Sequence, residues 1–306
     1  MKPVISVITC THNPRPDYLG KVLAALKSQT LPLEQWEFLL IDNASQKLLS
    51  SEIDLSWHSQ ARHIREEQLG LTHARLRGIK EAIGETLVFV DDDNILDIDF
   101  LERALQITKD WPILGAWGGQ IIPYFEEPPP EWTKPYWPLL AIQEFDRDRW
   151  SNLSDQYEIV PYGAGLCVRK IVAQKYAKLL CDQPERADMD RKGKVLTSGG
   201  DIDLAFTACD TGLGIGQFIS LKVTHLIPGF RLQEDYLLRL MEGVNYSVIM
   251  LKYFRGQMPI QISWRKKLLQ YYTSWRMSSK DRRFYHASRK GETLAIKEIY
   301  EITSIN

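Results

Sequence analysis

Three short apolar runs, each closed by polar residues, limit this chain to very few architectures. Val4–Thr9, Phe38–Ile41 and Thr86–Val90 are rich in aliphatic and β-branched residues and carry no charge. That is the pattern of strands buried on both faces of a sheet. Helical patterns fill the gaps. Leu19, Val22, Leu23 and Leu26 fall on one face after Asp17, a candidate helix cap. Leu76, Ile79 and Ile83 follow Thr72, and Phe100, Leu101, Ala104 and Leu105 follow Asp97 and Asp99. A shorter strand is expected near His63–Arg65. Strands alternating with helices predict a doubly wound, mainly parallel sheet, in which ligands sit outside the carboxyl ends of the strands. Those ends carry Thr11 and Asn13, then Asp42, then Asp91-Asp92-Asp93.

The later chain is less regular. Pro123–Pro138 holds six prolines with Tyr124, Trp132, Tyr136 and Trp137, which excludes a regular helix or a central strand. Tyr157–Val168 reads as extended. Gln183–Ser198 is charged, poor in apolar residues and expected to be a mobile loop. It leads to Ser198-Gly199-Gly200-Asp201, where a helix starts. Phe218–Thr224 is a further strand, followed by His225, and the tail from Gln233 on reads as helical.

Bulk properties exclude several classes. The net charge of -1 gives no global field for nucleic acid. The four cysteines, Cys10, Cys167, Cys181 and Cys209, form no C-x-x-C pair, as expected of a reduced, cytoplasmic protein. No secretory leader pattern opens the sequence, and no run reaches the ~20 apolar residues of a membrane helix. Charge is uneven, however: between Trp264 and Lys290 nine basic residues face only Asp281. Trp264, Leu268, Leu269, Tyr272 and Trp275 lie among them. They form either an apolar face for peripheral docking at the inner face of a membrane or a helical face packed on the body.

Three adjacent carboxylates after a buried strand repel one another unless a cation joins them. Hard divalent ions take such oxygen ligands and share them with substrate phosphates. The plainer alternative is an acidic turn before the helix at Phe100. Asp42 ends a neighbouring strand, and Glu66-Glu67-Gln68-Leu69-Gly70-Leu71-Thr72-His73-Ala74-Arg75 lies between the two.

Taken in order, these landmarks resemble glycosyltransferase family 2. The Thr11-His12-Asn13 triplet, the strand ending in Asp42, the acidic glycine-containing loop with Ala74-Arg75, the Asp91–Asp93 run, the Asp201-x-Asp203-Leu204 segment and a strand followed by His225 all match. The resemblance covers about residues 1–230. It implies a GT-A, Rossmann-like α/β fold: a mixed, mainly parallel sheet flanked by helices. A nucleotide-binding half of about 1–115 and an acceptor-binding half of about 116–230 would precede a helical, basic extension, 231–306.

The roles it implies are these. Thr11, His12 and Asn13 line the nucleotide pocket, although the family often has tyrosine at His12. Asp42 accepts from the base ring N–H, and Arg75 sits near base or phosphates. Asp91 contacts the donor, with Asp92 beside it. Asp93 holds Mn²⁺ or Mg²⁺, with His225 as a further ligand or diphosphate contact, and Arg231 reaches phosphate oxygens. Asp201 is the catalytic base, although Gly200 stands where the family usually has glutamate. Trp117, Trp132 and Trp137 either stack on an acceptor sugar or pack the proline-rich loop onto the body. The reaction implied is inverting transfer from a nucleotide-diphosphate sugar, with uridine the usual base, to a carbohydrate or lipid-linked acceptor. Each polar residue also has a structural reading: Arg75 as a solvated helix arginine, Asp201 as a helix cap, His225 as a satisfied strand residue. A catalytically silent sugar-binding scaffold is the main rival. A nucleotidyltransferase needs a glycine-rich loop after the first strand, and Thr11–Asp17 has no glycine.

Overall fold

The computed structural model describes residues 2–191, 196–259, 272 and 274–305. The first half follows the alternating pattern. Strand β1 (Ile5–Thr11) leads to helix α1 (Pro16–Lys27), β2 (Trp36–Asn43), β3 (Ala61–Glu66), α2 (Leu71–Glu81) and β4 (Thr86–Phe89). Pro16, rather than a capping side chain, opens α1, where its missing N–H and fixed φ cost nothing. These four strands are parallel, in the order β3-β2-β1-β4. Side chains alternate between two apolar layers. Ile8, Leu39, Ile41, Leu87 and Phe89 face one layer; Ile5, Val7, Phe38, Leu40 and Val88 face the other. Helix α1 and α3 (Phe100–Asp110) cover the second layer with Leu19, Val22, Leu23, Leu26, Phe100, Leu101 and Ala104. Helix α2 covers the first with Ala74 and Ile79. Fully burying a side chain of the Phe or Leu kind contributes roughly 1.5–3 kcal/mol, so both faces of this sheet stabilise the fold.

The second half departs from the pattern. After β4 the chain passes through Asp91–Asp93 into a three-residue strand, β5 (Asn94–Leu96), that leaves the sheet centre for its far edge. Strands β6 (Leu114–Phe125), β7 (Arg149–Ser151), β8 (Leu166–Arg169) and β9 (Gly214–Ile227) complete one sheet in the order β3-β2-β1-β4-β8-β6-β9-β5, with β7 also on β9. Here β8 runs antiparallel to β4 and β6, and β5 runs antiparallel to β9. Strand β9 is longer than expected, and His225 lies within it rather than after it. Helices α4 (Lys170–Asp182) and α5 (Gly200–Asp210) join α2 on the first layer.

Two sequence expectations change here. The charged Gln183–Ser198 segment is not simply a mobile loop. Pro184–Met189 forms a 3-10 turn, and Arg186, Met189, Asp190 and Thr197 are buried. Arg186 Nη1 donates to both Asp203 carboxylate oxygens, at 2.7 and 2.8 Å, so this charge is paired in the interior, while Glu185, Asp188 and Arg191 stay exposed. The proline-rich segment does not avoid the sheet altogether: residues 123–125 end β6 and pair with β9, and only Glu131–Leu140 forms a ten-residue 3-10 helix, with Pro135 and Pro138 inside it.

Among the described residues, the helical extension includes α6 (Glu234–Phe254) and α7 (Ser279–Ile305). It shares the core of the body: Met250, Leu251, Ala295 and Ile299 join the first layer, and Leu237, Leu240 and Phe284 pack on Leu140 and Ile227. Much of its basic charge is matched locally. Lys280 lies 3.8 Å from the Trp132 ring, Arg283 pairs with Glu234, Arg289 with Glu292 and Lys290 with Glu242. Of the expected apolar docking face, Trp264, Leu268 and Leu269 lie outside the described residues, while Tyr272 and Trp275 are exposed. Among the described residues no helix is long and apolar enough to cross a membrane. All four cysteines are free thiols, and burial pushes those of Cys10 and Cys167 up.

Candidate functional site

Topology brings the polar residues together. The Asn94↔His225 register of β5 on β9 sets Asp93 beside His225, and the Leu226 N–H donates to the Asp93 carbonyl at 2.9 Å. The resulting cavity, about 280 Å³, opens at the carboxyl ends of β1 and β4 and against the start of α5. Thr11, His12, Arg75, Asp91, Asp92, Asp93, Asp201, His225 and Arg231 all line it.

Its electrostatics are strained at β4. Five carboxylates (Asp91, Asp92, Asp93, Asp190 and Asp201) and three guanidiniums (Arg75, Arg191 and Arg231) line the wall. Fully ionised, that set is two positive charges short of neutrality. Burial, with Asp93 and Asp91 as neighbours, pushes Asp92 up to about 7 even though the Thr11 hydroxyl donates to it. Burial raises Asp91 as well, against the pull of Arg75. For Asp93 burial acts in the same direction, but Arg231 and His225 outweigh it, and its carboxyl is held below the ordinary range. Arg231 Nη2 lies 3.0 Å from Asp93 Oδ2, and Nη1 donates to His225 Nε2 at 3.1 Å. The same His225 Nε2 is 3.5 Å from Asp93 Oδ2, while its buried Nδ1 has no partner.

This donor set fits a hard divalent cation. Asp93 Oδ2 and His225 Nε2 converge within a span that one ion bridges, and the surrounding acids lack compensating charge. Among the described residues no third His, Cys, Asp or Glu completes a cage. That matches an ion whose remaining positions go to water and phosphate rather than to protein.

At the opposite wall, Asp201 sits in the first turn of α5. Its Oδ2 accepts the Gly163 N–H at 2.7 Å and its Oδ1 the Ile202 N–H at 2.9 Å. Close approach here depends on glycine: a Cβ at residue 163 would lie 2.8 Å from Arg75 Nη2 and 3.1 Å from Asp201 Oδ2. The base side is built from β1 and β2. His12 Nδ1 donates to the Asn43 carbonyl at 2.7 Å, and Asn13 Nδ2 donates to His12 Nε2 at 2.9 Å, which fixes the ring. Asn13 adopts φ 49°, binds Ser45 and Gln46, and does not itself line the cavity.

Four expected residues are placed differently. Asp42 stands behind the cavity wall. Its carboxylate accepts from Ser45 N (3.0 Å), Leu49 N (3.3 Å) and Arg65 Nη1 (2.8 Å), so most of its lone pairs serve the protein. Its neighbour Asn43 lines the cavity instead and ties β2 to the Glu66–Gly70 loop. Trp117 cannot stack on an acceptor: it is wholly buried on β6 within the second apolar layer. Trp132 and Trp137 also pack, Trp137 on Phe125 at 5.0 Å and Trp132 on Tyr136 and Phe284, because the proline-rich helix docks against α7. The residues of this region that reach the cavity are Leu140, Ala141 and Tyr236. Sequence reasoning passed over Asp190 and Arg191 altogether; the charge of their segment masked them.

The sheet order, with an acidic cavity at the end of β4, is that of the GT-A fold. The model of glycosyl transferase family 2 matches residues 6–165, more than half of the sequence, and the chain belongs to that family. Glycosyltransferase AglE of Haloferax volcanii is 33% identical over 216 residues, 70% of this chain and 64% of that one. Glucosyl-dolichyl phosphate glucuronosyltransferase of the same organism is 23% identical over 130 residues, 42% of this chain and 41% of that one. The chain thus spans less than two thirds of the length of these relatives. Among solved structures, S. aureus TarS 1-349 in complex with UDP superposes with a TM-score of 0.52 at 15% identity, over 98% of this chain and 90% of that one.

Proposed function

We propose that this protein transfers a sugar from a uridine-diphosphate donor to an acceptor hydroxyl, with inversion, in polysaccharide or glycolipid assembly. The observation that carries the reading is the facing of Asp201 and the Asp93–His225–Arg231 cluster across one cavity of a family 2 chain. Uridine is supported by the fold's likeness to a protein solved in complex with UDP, and a lipid-linked acceptor by the name of the glucuronosyltransferase relative.

An acceptor hydroxyl is a poor nucleophile at neutral pH, and Asp201 takes its proton as it attacks the anomeric carbon. Attack comes from the side opposite the diphosphate, so the anomeric centre inverts. The Gly163 N–H fixes Asp201 Oδ2. Mn²⁺ or Mg²⁺ held by Asp93 and His225 would offset the charge gathering on the departing diphosphate. Arg231, now forked between those two residues, offers the same oxygens a bidentate partner. Thr11 and His12 face the nucleotide, and Leu140, Ala141 and Tyr236 supply the apolar wall nearest the acceptor. Tyr272 and Trp275, exposed in the extension, are the described part of the apolar face offered for peripheral membrane contact.

Calorimetric titration with UDP, GDP and dTDP, with Mn²⁺ and with chelator, tests the reading. Metal-dependent binding of UDP alone is expected. Binding of none of them would favour the catalytically silent scaffold.

A further inference from the structure

Asp190 lies in the charged segment after α4, yet it is buried. Its Oδ2 accepts from Arg75 Nη1 at 2.8 Å and Thr72 Oγ1 at 3.1 Å, both on α2. Its Oδ1 accepts the Gly200 N–H at 3.1 Å, at the first residue of α5. Thr197 Oγ1 in turn donates to the Asp190 carbonyl at 2.7 Å. One carboxylate therefore joins the helix that carries Arg75 to the helix start that carries Asp201.

Space for it exists because residue 200 is glycine. A Cβ there would lie 2.3 Å from Asp190 Oδ2 and 2.6 Å from its Cγ. Asp190 fills the volume that a side chain on α5 would otherwise claim, and it brings a negative charge to the same spot. Arg75 needs that charge. It is buried, which disfavours a cation, and Asp190, Asp201 and Asp91 are the acids that sustain it. Of these, Asp190 is the one whose carboxylate accepts from the Arg75 guanidinium at 2.8 Å.

We infer that Asp190 is a positioning residue of the donor site, which aims Arg75 at the donor diphosphate and sets the start of α5, and with it Asp201, across the cavity. This role rests on the transferase reading. Asp190 lies in the cavity wall with both carboxylate oxygens taken by Arg75, Thr72 and the Gly200 N–H, so it acts through Arg75.

The test is a double-mutant cycle on the full chain, read as UDP affinity in Mn²⁺ by calorimetry. Asp190→Asn, which keeps an oxygen for the Gly200 N–H, and Arg75→Lys should each weaken UDP roughly tenfold or more. The double variant should bind no worse than Arg75→Lys alone, within about threefold, because coupled residues are not additive. A second route leaves Asp190 intact: Gly200→Ala should displace its carboxylate and weaken UDP to a similar degree. Additive losses would make Asp190 an ordinary brace and overturn the proposal, as would unchanged affinity in Asp190→Asn or Gly200→Ala. A wild-type protein that binds no UDP would instead remove the donor reading on which the role stands.

Discussion

At the carboxyl end of β2, Asp42 accepts two backbone N–H groups and the Arg65 guanidinium. At the end of β4, two strands away in the same sheet, Asp91 and Asp92 are crowded by each other and by Asp93, and both are pushed up, while Arg231 and His225 hold Asp93 down. Asp42 and Asp93 are buried, Asp91 and Asp92 are half-buried, and both groups follow apolar strands. Burial pushes Asp42 up, but the hydrogen bonds from Ser45 and Arg65 outweigh it, and its carboxyl lies below 3.8. Asp92 goes the other way, up to about 7. A satisfied carboxylate stabilises the fold; a frustrated one holds binding capacity in reserve for a ligand. Position at a strand end therefore does not by itself mark a functional acid. What differs is where the partners lie: those of Asp42 belong to the framework behind the wall, whereas those of Asp93, Arg231 and His225, line the cavity with it.

Removing the group that takes the acceptor proton should give the largest effect. Asp201→Asn should lower the transfer rate ~10²–10⁴-fold, the usual weight of a general base, with UDP affinity within about threefold of wild type. Normal turnover would strip Asp201 of its role.

The contrast between the two strand ends should next appear as opposite pH dependences. The folded pKa of Asp92 lies above its ordinary value of 3.8, so ionisation opposes folding. Metal-free protein should lose stability as pH rises from about 4 through about 7, by on the order of 2–4 kcal/mol. Asp92→Asn should flatten that slope in urea titrations. An equal slope in the two proteins would break the contrast.

Asp42 has the opposite sign. Its folded pKa is depressed, so its contribution is present above 3.8 and is lost as pH falls through the folded value. Asp42→Asn should cost about 1–3 kcal/mol at neutral pH and progressively less in acid, with little change in UDP affinity. A tenfold loss of UDP binding at unchanged stability would restore Asp42 to the base pocket.

Much of the β2 and β4 neighbourhood was legible because its signals are local. An apolar strand, a polar end and an amphipathic helix lie within about thirty residues of one another. The second half was harder for a physical reason. Strand β5 has three residues and exists only through its pairing with Val223–His225, which no local pattern encodes. The placement of His225 beside Asp93 follows from that same pairing, so their joint role came from family order and not from periodicity. Trp117 was misplaced because an aromatic residue reads alike in a core strand and in a sugar platform; only burial separates them. Asp190 was hidden among charged neighbours, of which Arg186 turns inward onto Asp203 while Asp190 itself turns inward onto Arg75. Gly200 was the visible trace of it, a departure from the family pattern that makes room for a carboxylate from elsewhere in the chain.

The central claim is that the end of β4, and not the end of β2, holds the donor through a cation. Its most direct measurement is Mn²⁺ titration followed by electron paramagnetic resonance, with and without UDP, on wild type, Asp93→Ala and Asp42→Asn. Wild type and Asp42→Asn should bind one Mn²⁺ more tightly in the presence of UDP, and Asp93→Ala should lose that site by roughly tenfold or more while staying folded. Mn²⁺ and UDP binding that survives in folded Asp93→Ala would contradict the claim.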